Sequence, residues 1–307
     1  MPPLTDTSTD LEHVTPLISV VDRWLAERID DAEMPENLRA AARHAVLGGG
    51  KRLRPVLAIL CCRAVGGEDD HARAAAVAVE LIHAFSLVHD DLPALDNDLL
   101  RRGQPTVHAA FGEAMAILAG DALMSLAYET VIEADFGRRD AGHSSALLAE
   151  LARATRCMIN GQVLDTLGGF DRSHRDDTTR LEQVHANKTG ALITGACRMG
   201  AISGHADSNQ LAAITAYGEA VGLMFQIVDD LLDVTQSAEV VGKATNKDQS
   251  AGKLTFPGVV GVDASAARVR TLQADATRAL DELGGGQIAA MAEPLRSLAA
   301  YMAIRTT

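Results

Sequence analysis

The stretch "LVHDDLPALDND", residues 87–98, packs Asp90, Asp91, Asp96 and Asp98 into nine positions directly after an apolar run. A second set, Asp229, Asp230 and Asp233 in "FQIVDDLLD", follows another apolar run. Carboxylates this close repel and raise one another's pKa, and a hard divalent cation relieves that repulsion by taking a few carboxylate oxygens while keeping water or phosphate oxygens. In the second set the i and i+4 aspartates, Asp229 and Asp233, share a helical face, and Asp230 is turned about 100° away. In the first set Pro93 stops the helix, so that the chain can curl and bring Asp96 back toward Asp90. A helix start, with an aspartate as cap and Pro93 near the first turn, is the alternative for that stretch. Asp-Asp pairs also occur at 30, 69 and 176, in polar surroundings where they read as caps or solvated faces.

Cations fall in the turns. "GGGKRLRP" (48–55) presents Lys51, Arg52 and Arg54 after three glycines, where backbone can approach an anion and an arginine can hold phosphate through two parallel hydrogen bonds. It lacks the spacing of a Walker loop. Arg101 and Arg102 follow the first acidic cluster, and Lys188, Lys243 and Lys253 lie in "NKTGA", "VGKA" and "AGKLT". Together the acidic clusters and basic turns suggest a diphosphate held partly through metal and partly directly. Two E-x-x-H motifs, Glu80/His83 and Glu182/His185, raise the different reading of a di-iron carboxylate bundle. That reading leaves both aspartate clusters and the basic turns without a role.

The elements that must position these residues are helices. Apolar residues recur at helical spacing in "LISVVDRWLAERI", "AAAVAVELIHAFSLVH", "EAMAILAGDALMSLAYETVIE" and "LAAITAYGEAVGLMFQIVDDLLDV", and no β-alternating stretch competes. Several are apolar on most of their circumference, which implies burial in a large bundle. The expectation is an all-α chain of roughly ten to thirteen helices. Residues 1–15 read as a disordered tail and 16–307 as a single domain, with no Gly/Ser linker and no repeat. A net charge of −13 argues against nucleic acid or an anionic membrane as partner. Cys61, Cys62, Cys157 and Cys197 lack a metal or disulfide spacing and read as reduced core thiols, which with the absence of a signal-peptide pattern or a long uncharged apolar run suggests a soluble, cytoplasmic protein.

Six segments in order, "GGGKRLRP", "DDLPALDNDLLRRGQPTVH", "GQVLDTLGG", "NKTGALI", "FQIVDDLLDV" and "GKATNKDQSAGKLTFPGVVG", resemble the motifs of the trans-isoprenyl diphosphate synthases, the polyprenyl synthetase family, from about residue 45 onward. The resemblance implies a single helical bundle of the isoprenoid synthase type around a deep central cavity, working as a homodimer. It implies about three Mg²⁺ ions held by Asp90, Asp91, Asp96, Asp229, Asp230 and Asp233. It gives isopentenyl diphosphate to Lys51, Arg54, His83 and Arg102, and the allylic diphosphate to Arg101, Lys188, Thr189, Gln226, Lys243 and Lys253. Gln162 and Asp165 would face the site from a kinked helix. Ionisation of the allylic C–O bond, attack by the alkene of isopentenyl diphosphate and proton loss to the released diphosphate would complete the reaction, with the oxygens of Thr189 and Gln226 facing the cation.

Phe85 stands five residues before Asp90, roughly 7.5 Å down the helix, and Ser86 beside it is small. Periodicity alone makes Phe85 an ordinary core aromatic. A bulky ring there, with the two extra residues of D-D-x-x-x-x-D, looks like the bacterial farnesyl diphosphate synthases. The expected product is therefore farnesyl diphosphate from dimethylallyl or geranyl starters, with a geranylgeranyl or geranyl synthase, and a non-catalytic subunit of a heteromeric synthase, as alternatives. No stable membrane insertion is expected.

Overall fold

The computed structural model describes residues 14–134, 141–171, 176–239 and 254–304. Among them are thirteen α-helices, one π-helical turn and a two-stranded ribbon. The disordered tail expected at residues 1–15 lies almost wholly outside the described residues. Contacts gather the described residues into two compact units: those within Glu12–Ala152 and Met199–His205 form one, those within Arg153–Arg198 and Ala206–Thr307 the other.

The first unit holds α1 (Thr15–Asp31), α2 (Glu36–Leu47), α3 (Leu53–Ala64), α4 (Asp69–Asp90), the strands β1 (Leu100–Arg101) and β2 (Gln104–Pro105), α5 (Val107–Phe111) and α6 (Glu113–Glu133). Its axis is α4, packed between α3 and α6. Alanine, valine, leucine and isoleucine fill nearly every turn of α4, so most of its circumference is buried. A capping box starts this helix: the Glu68 side chain takes the His71 backbone N–H, and the His71 ring takes that of Glu68. Asp69 and Asp70 add negative charge at the positive end of its dipole.

The polar exception in this core is an ion network. Arg52, with φ at 49° just ahead of α3, is 4% exposed. Its Nε donates to Asp22 at 2.7 Å, one Nη to Glu80 at 2.8 Å and the other to the Val46 carbonyl at 2.7 Å. Three directed bonds account for a buried guanidinium, and they tie α1, α2 and α4 to the turn that precedes α3. Glu80 is thereby held on Arg52 and not presented to a metal, while Glu182 stands half-exposed 3.7 Å from Arg268.

The second unit holds the part of α7 (Ala141–Leu167) from Arg153 on, α8 (Asp177–His185), the π turn (Ala186–Gly190), α9 (Ala191–Ser203) as far as Arg198, α10 (Ser208–Glu239), α11 (Phe256–Val260), α12 (Val262–Asp281) and α13 (Gln287–Ile304). The π turn packs against α7 at Gly161. A Cβ on Gly161 would stand 2.1 Å from the Lys188 nitrogen, so α7 can approach that backbone only where it has no side chain. Gly222 lets α10 close on Gly190 in the same way. Asp176 caps α8 by accepting from the Thr179 N–H at 2.8 Å, and Asp69 pairs with Arg63, the ordinary uses expected of those Asp-Asp pairs.

All four cysteines are free; Cys157 is half-buried and the others buried. Burial pushes the Cys62 thiol up to about 12. The helices Asp69–Asp90, Glu113–Glu133 and Ser208–Val234 are long and apolar enough to cross a bilayer. In the fold α4 covers most of its apolar surface, whereas α6 leaves Ile117, Leu118 and Ile132 outward.

Removing Glu80 leaves Arg52 charged and buried without its main partner. Glu80→Ala is expected to cost about 3–5 kcal/mol in urea unfolding. Arg23→Ala, which breaks an exposed pair with Glu27, should cost at most about 1 kcal/mol.

Candidate active site

In the first unit the two halves of the first motif part ways. Asp90 ends α4 half-buried, and the loop after it curls as expected: the Asp96 N–H donates to the Asp90 carbonyl at 2.8 Å, leaving the Asp96 side chain in solvent. Asp91 turns inward and is 3% exposed. Arg101 grips it from β1, with Nη2 2.6 Å from Oδ1 and Nε at 2.9 and 3.0 Å from the two oxygens. The sequence reading gave Asp91 to metal and Arg101 to the allylic diphosphate. The structure pairs them with each other, because a desolvated carboxylate needs a cation and the ribbon supplies one.

The ribbon is a two-residue hairpin. Leu100 pairs with Pro105 and Arg101 with Gln104, and both central residues have positive φ, Arg102 at 52° and Gly103 at 78°. That is the primed turn whose twist suits antiparallel strands, and it costs a non-glycine residue strain at Arg102. The strained arginine reaches back to donate to the Gly49 carbonyl. Gly50 has φ at 150°, a conformation L side chains rarely adopt, and a Cβ there would also displace the Arg102 guanidinium, 2.5 Å away. The glycine turn and the ribbon, 53 residues apart, thus meet at Arg102. Lys51 is exposed on the same turn and Arg54 half-buried in the first turn of α3.

His83 faces this group from α4, two turns before Asp90. Burial first, then the charges of Arg54, Arg102, Arg101 and Arg52, hold its imidazole neutral well below the usual histidine range. Arg54 and Arg102 add positive charge beside this neutral imidazole, whereas Arg52 and Arg101 are already paired with Glu80 and Asp91. Phe85 is 6% exposed, and the Ser86 hydroxyl donates to the His83 carbonyl.

The second unit carries a chain of polar contacts. The Thr189 hydroxyl, in the π turn, donates to Gln226 Oε1 at 2.8 Å. Gln226 Nε2 then donates to Asp230 Oδ1 at 3.0 Å, and the Phe256 N–H donates to Asp230 Oδ2 at 2.9 Å. His185 Nε2 lies 3.7 Å from the same carboxylate. Burial pushes the Asp230 carboxyl up to about 6 against these donors, with the charges of Asp233 and Asp229 adding to the rise, and burial takes His185 down to about 4. Asp229 is half-buried and Asp233 exposed, so the i, i+4 pair is the accessible one and Asp230 is turned into the protein. Lys188 Nζ lies 2.6 Å from Asp165 Oδ2, and Gln162 donates to Thr166 at 3.3 Å with its Oε1 buried and unpartnered. Lys243 and Lys253 lie outside the described residues.

Each unit taken by itself presents accessible carboxylates, Asp90 and Asp96 in the first and Asp229 and Asp233 in the second, and carboxylates are the donors a hard cation such as Mg²⁺ takes. Burial is the main cause of the raised Asp230 carboxyl, and the charges of Asp233 and Asp229 add to it; that added repulsion is what a cation would relieve, so the residues fit the ion. Among the described residues no three of His, Cys, Asp and Glu converge as a ready-made metal cluster. Sequence reasoning missed Glu80 and Asp22 as partners of Arg52, and nothing local signalled pairings across 28 and 30 residues.

The polyprenyl synthetase family model matches residues 35–283. A geranylgeranyl pyrophosphate synthase 4 of Arabidopsis thaliana is 40% identical over 287 residues, 93% of this chain and 75% of that protein. Among solved structures, an FPP/GFPP synthase from Zymomonas mobilis aligns at TM-score 0.81 and 34% identity, covering 97% of this chain and 100% of that one. A geranylgeranyl pyrophosphate synthetase from Pyrococcus horikoshii aligns at TM-score 0.83 and 30% identity, covering 96% and 98%.

Two outcomes follow from the geometry. Asp230→Asn turns an amide donor toward groups that already donate, and should lose about 1–3 kcal/mol of stability, while Asp233→Asn, exposed, changes it by less than about 0.5 kcal/mol. His83, whose folded pKa is depressed, contributes stability present above the unfolded histidine pKa and lost as pH falls below it. Inorganic pyrophosphate beside Arg54 and Arg102 would offset the cationic charge, so an NMR titration should show the His83 pKa rising when it is added.

Proposed function

The chain belongs to the polyprenyl synthetase family and is a trans-prenyltransferase, and from that premise we propose that it joins isopentenyl diphosphate head to tail to dimethylallyl or geranyl diphosphate and stops mainly at farnesyl diphosphate. The observation that carries the reading is the pairing, within one unit, of the arginines beside His83, with Arg102 tied to the glycine turn at Gly49, and an accessible carboxylate motif at Asp90 and Asp96. One suits a diphosphate held directly and the other a diphosphate held through metal. A helical bundle binding iron would need neither.

Lys51, Arg54 and Arg102 bind the isopentenyl diphosphate, and His83 stays neutral among them as a hydrogen-bonding wall. Asp90 and Asp96 in the first unit, and Asp229 and Asp233 in the second, would hold Mg²⁺, with Asp91 and Asp230 fixing the backbone that carries them. When bound, Mg²⁺ neutralises the charge that develops on the departing allylic diphosphate. Lys188 adds positive charge to the same leaving group, as Lys243 and Lys253 do in the family pattern, and Arg101 reaches it only by sharing its contact with Asp91. The lone pairs of Thr189 and the amide oxygen of Gln226 face the allylic cation, and the released diphosphate takes the proton.

Phe85 supports the fifteen-carbon limit, being a buried ring more than one helical turn before Asp90. The relatives named for geranylgeranyl products favour the twenty-carbon alternative. A homodimer belongs to the same proposal, supported by the outward apolar side chains Ile117, Leu118 and Ile132 of α6.

Incubated with Mg²⁺, isopentenyl diphosphate and geranyl diphosphate, the protein should release chiefly fifteen-carbon product, and Phe85→Ala should move the product to twenty carbons or more. Wild-type product of twenty carbons would overturn the farnesyl assignment, and no elongation from either starter would overturn the enzymatic one.

A further inference from the structure

Phe85 is not held by α4 alone. One turn further on, His89 presents its ring to Phe85 edge-on, with centroids 5.4 Å apart and planes at 86°. The imidazole leans away from α4 toward α6, where Nε2 lies 3.1 Å from the Ile117 carbonyl. A carbonyl only accepts, so Nε2 carries the proton and the ring is oriented by a directed bond as well as by packing. Its seat is the bare backbone of Gly120: a Cβ there would stand 2.1 Å from Nε2 and 2.4 Å from Cδ2. The neighbours Ala116 and Ala119 are buried and keep α6 close. The Ser86 hydroxyl is turned to the His83 carbonyl and does not compete for the histidine.

We infer that His89, seated on Gly120 and tied to the Ile117 carbonyl, is a positioning residue for product length, which fixes the Phe85 ring across the path of the growing prenyl chain. The inference rests on the reading of Phe85 as the chain-length floor. An aliphatic residue at 89 would fill the same space without a bond to hold it. The hydrogen bond gives the imidazole one orientation, and that orientation gives Phe85 one rotamer. Without the imidazole, a ring-sized space opens between Phe85 and α6, Phe85 swings into it, and the path beyond position 85 is cleared. Gly120 then matters for specificity as well as packing, because any side chain there expels the imidazole.

The test measures the ratio of fifteen- to twenty-carbon products for His89→Ala, His89→Gln, Gly120→Ala, Phe85→Ala and the double variant His89→Ala/Phe85→Ala. This ratio is insensitive to a simple loss of folded enzyme. His89→Ala and Gly120→Ala should lower it by about three- to tenfold, the range that corresponds to one lost aromatic pair. His89→Gln keeps a donor for the Ile117 carbonyl and should restore much of the wild-type ratio, and the double variant should match Phe85→Ala alone. If Phe85→Ala lengthens the product and His89→Ala does not, the role of His89 is overturned and that of Phe85 stands. If Phe85→Ala changes nothing, the floor itself is overturned and the inference with it. Should Gly120→Ala fail to fold, the two histidine variants decide the matter.

Discussion

Asp91 is a carboxylate almost without solvent, and its ionised form is tolerable in that place only because Arg101 meets both of its oxygens. The pairing bolts the ribbon Leu100–Pro105 to the end of α4. With the ribbon held, its primed turn carries Arg102 onto the glycine turn at Gly49–Gly50, and the arginines gather round His83. With Asp91 drawn inward, Asp90 and Asp96 are left on the outer side of the curl. A single buried ion pair thus sorts the first motif into an anchor, Asp91, and two more accessible carboxylates, Asp90 and Asp96, and sets arginines beside His83 on the same helix.

The second unit solves the same problem with neutral donors. Asp230 accepts from Gln226 and from the Phe256 N–H, which joins α10 to the start of α11, while Asp229 and Asp233 remain reachable. Two carboxylates adjacent in sequence cannot both face one way from a helix, since they stand about 100° apart. A doubled aspartate therefore couples a buried carboxylate that holds the fold to an accessible one.

Much of the fold was legible because helical periodicity is a local signal: α4, α6 and α10 follow the apolar runs, and Pro93 marks the curl that returns Asp96 to Asp90. The angular offset of Asp230 was also legible, though its meaning was not. What escaped was non-local. Arg52 looked like a phosphate ligand beside Lys51 and Arg54, and only the fold brings Asp22 and Glu80 to it. Arg101 looked like a substrate contact because its partner Asp91, ten residues earlier at the end of α4, itself read as a metal ligand. The π turn at Ala186–Gly190 has no compositional signature, and is explained by the close approach that Gly161 and Gly222 permit.

The division of the first motif into anchor and ligands is the centre of this account, and counting bound metal tests it most directly. Mn²⁺ can stand in for Mg²⁺, and electron paramagnetic resonance counts the ions bound in the presence of an unreactive allylic diphosphate analogue. The account predicts that Asp90→Asn binds fewer Mn²⁺ ions than wild type at unchanged stability, whereas Asp91→Asn keeps the wild-type count on a less stable protein. Loss of the same metal from Asp91→Asn as from Asp90→Asn, with stability unchanged, would contradict it.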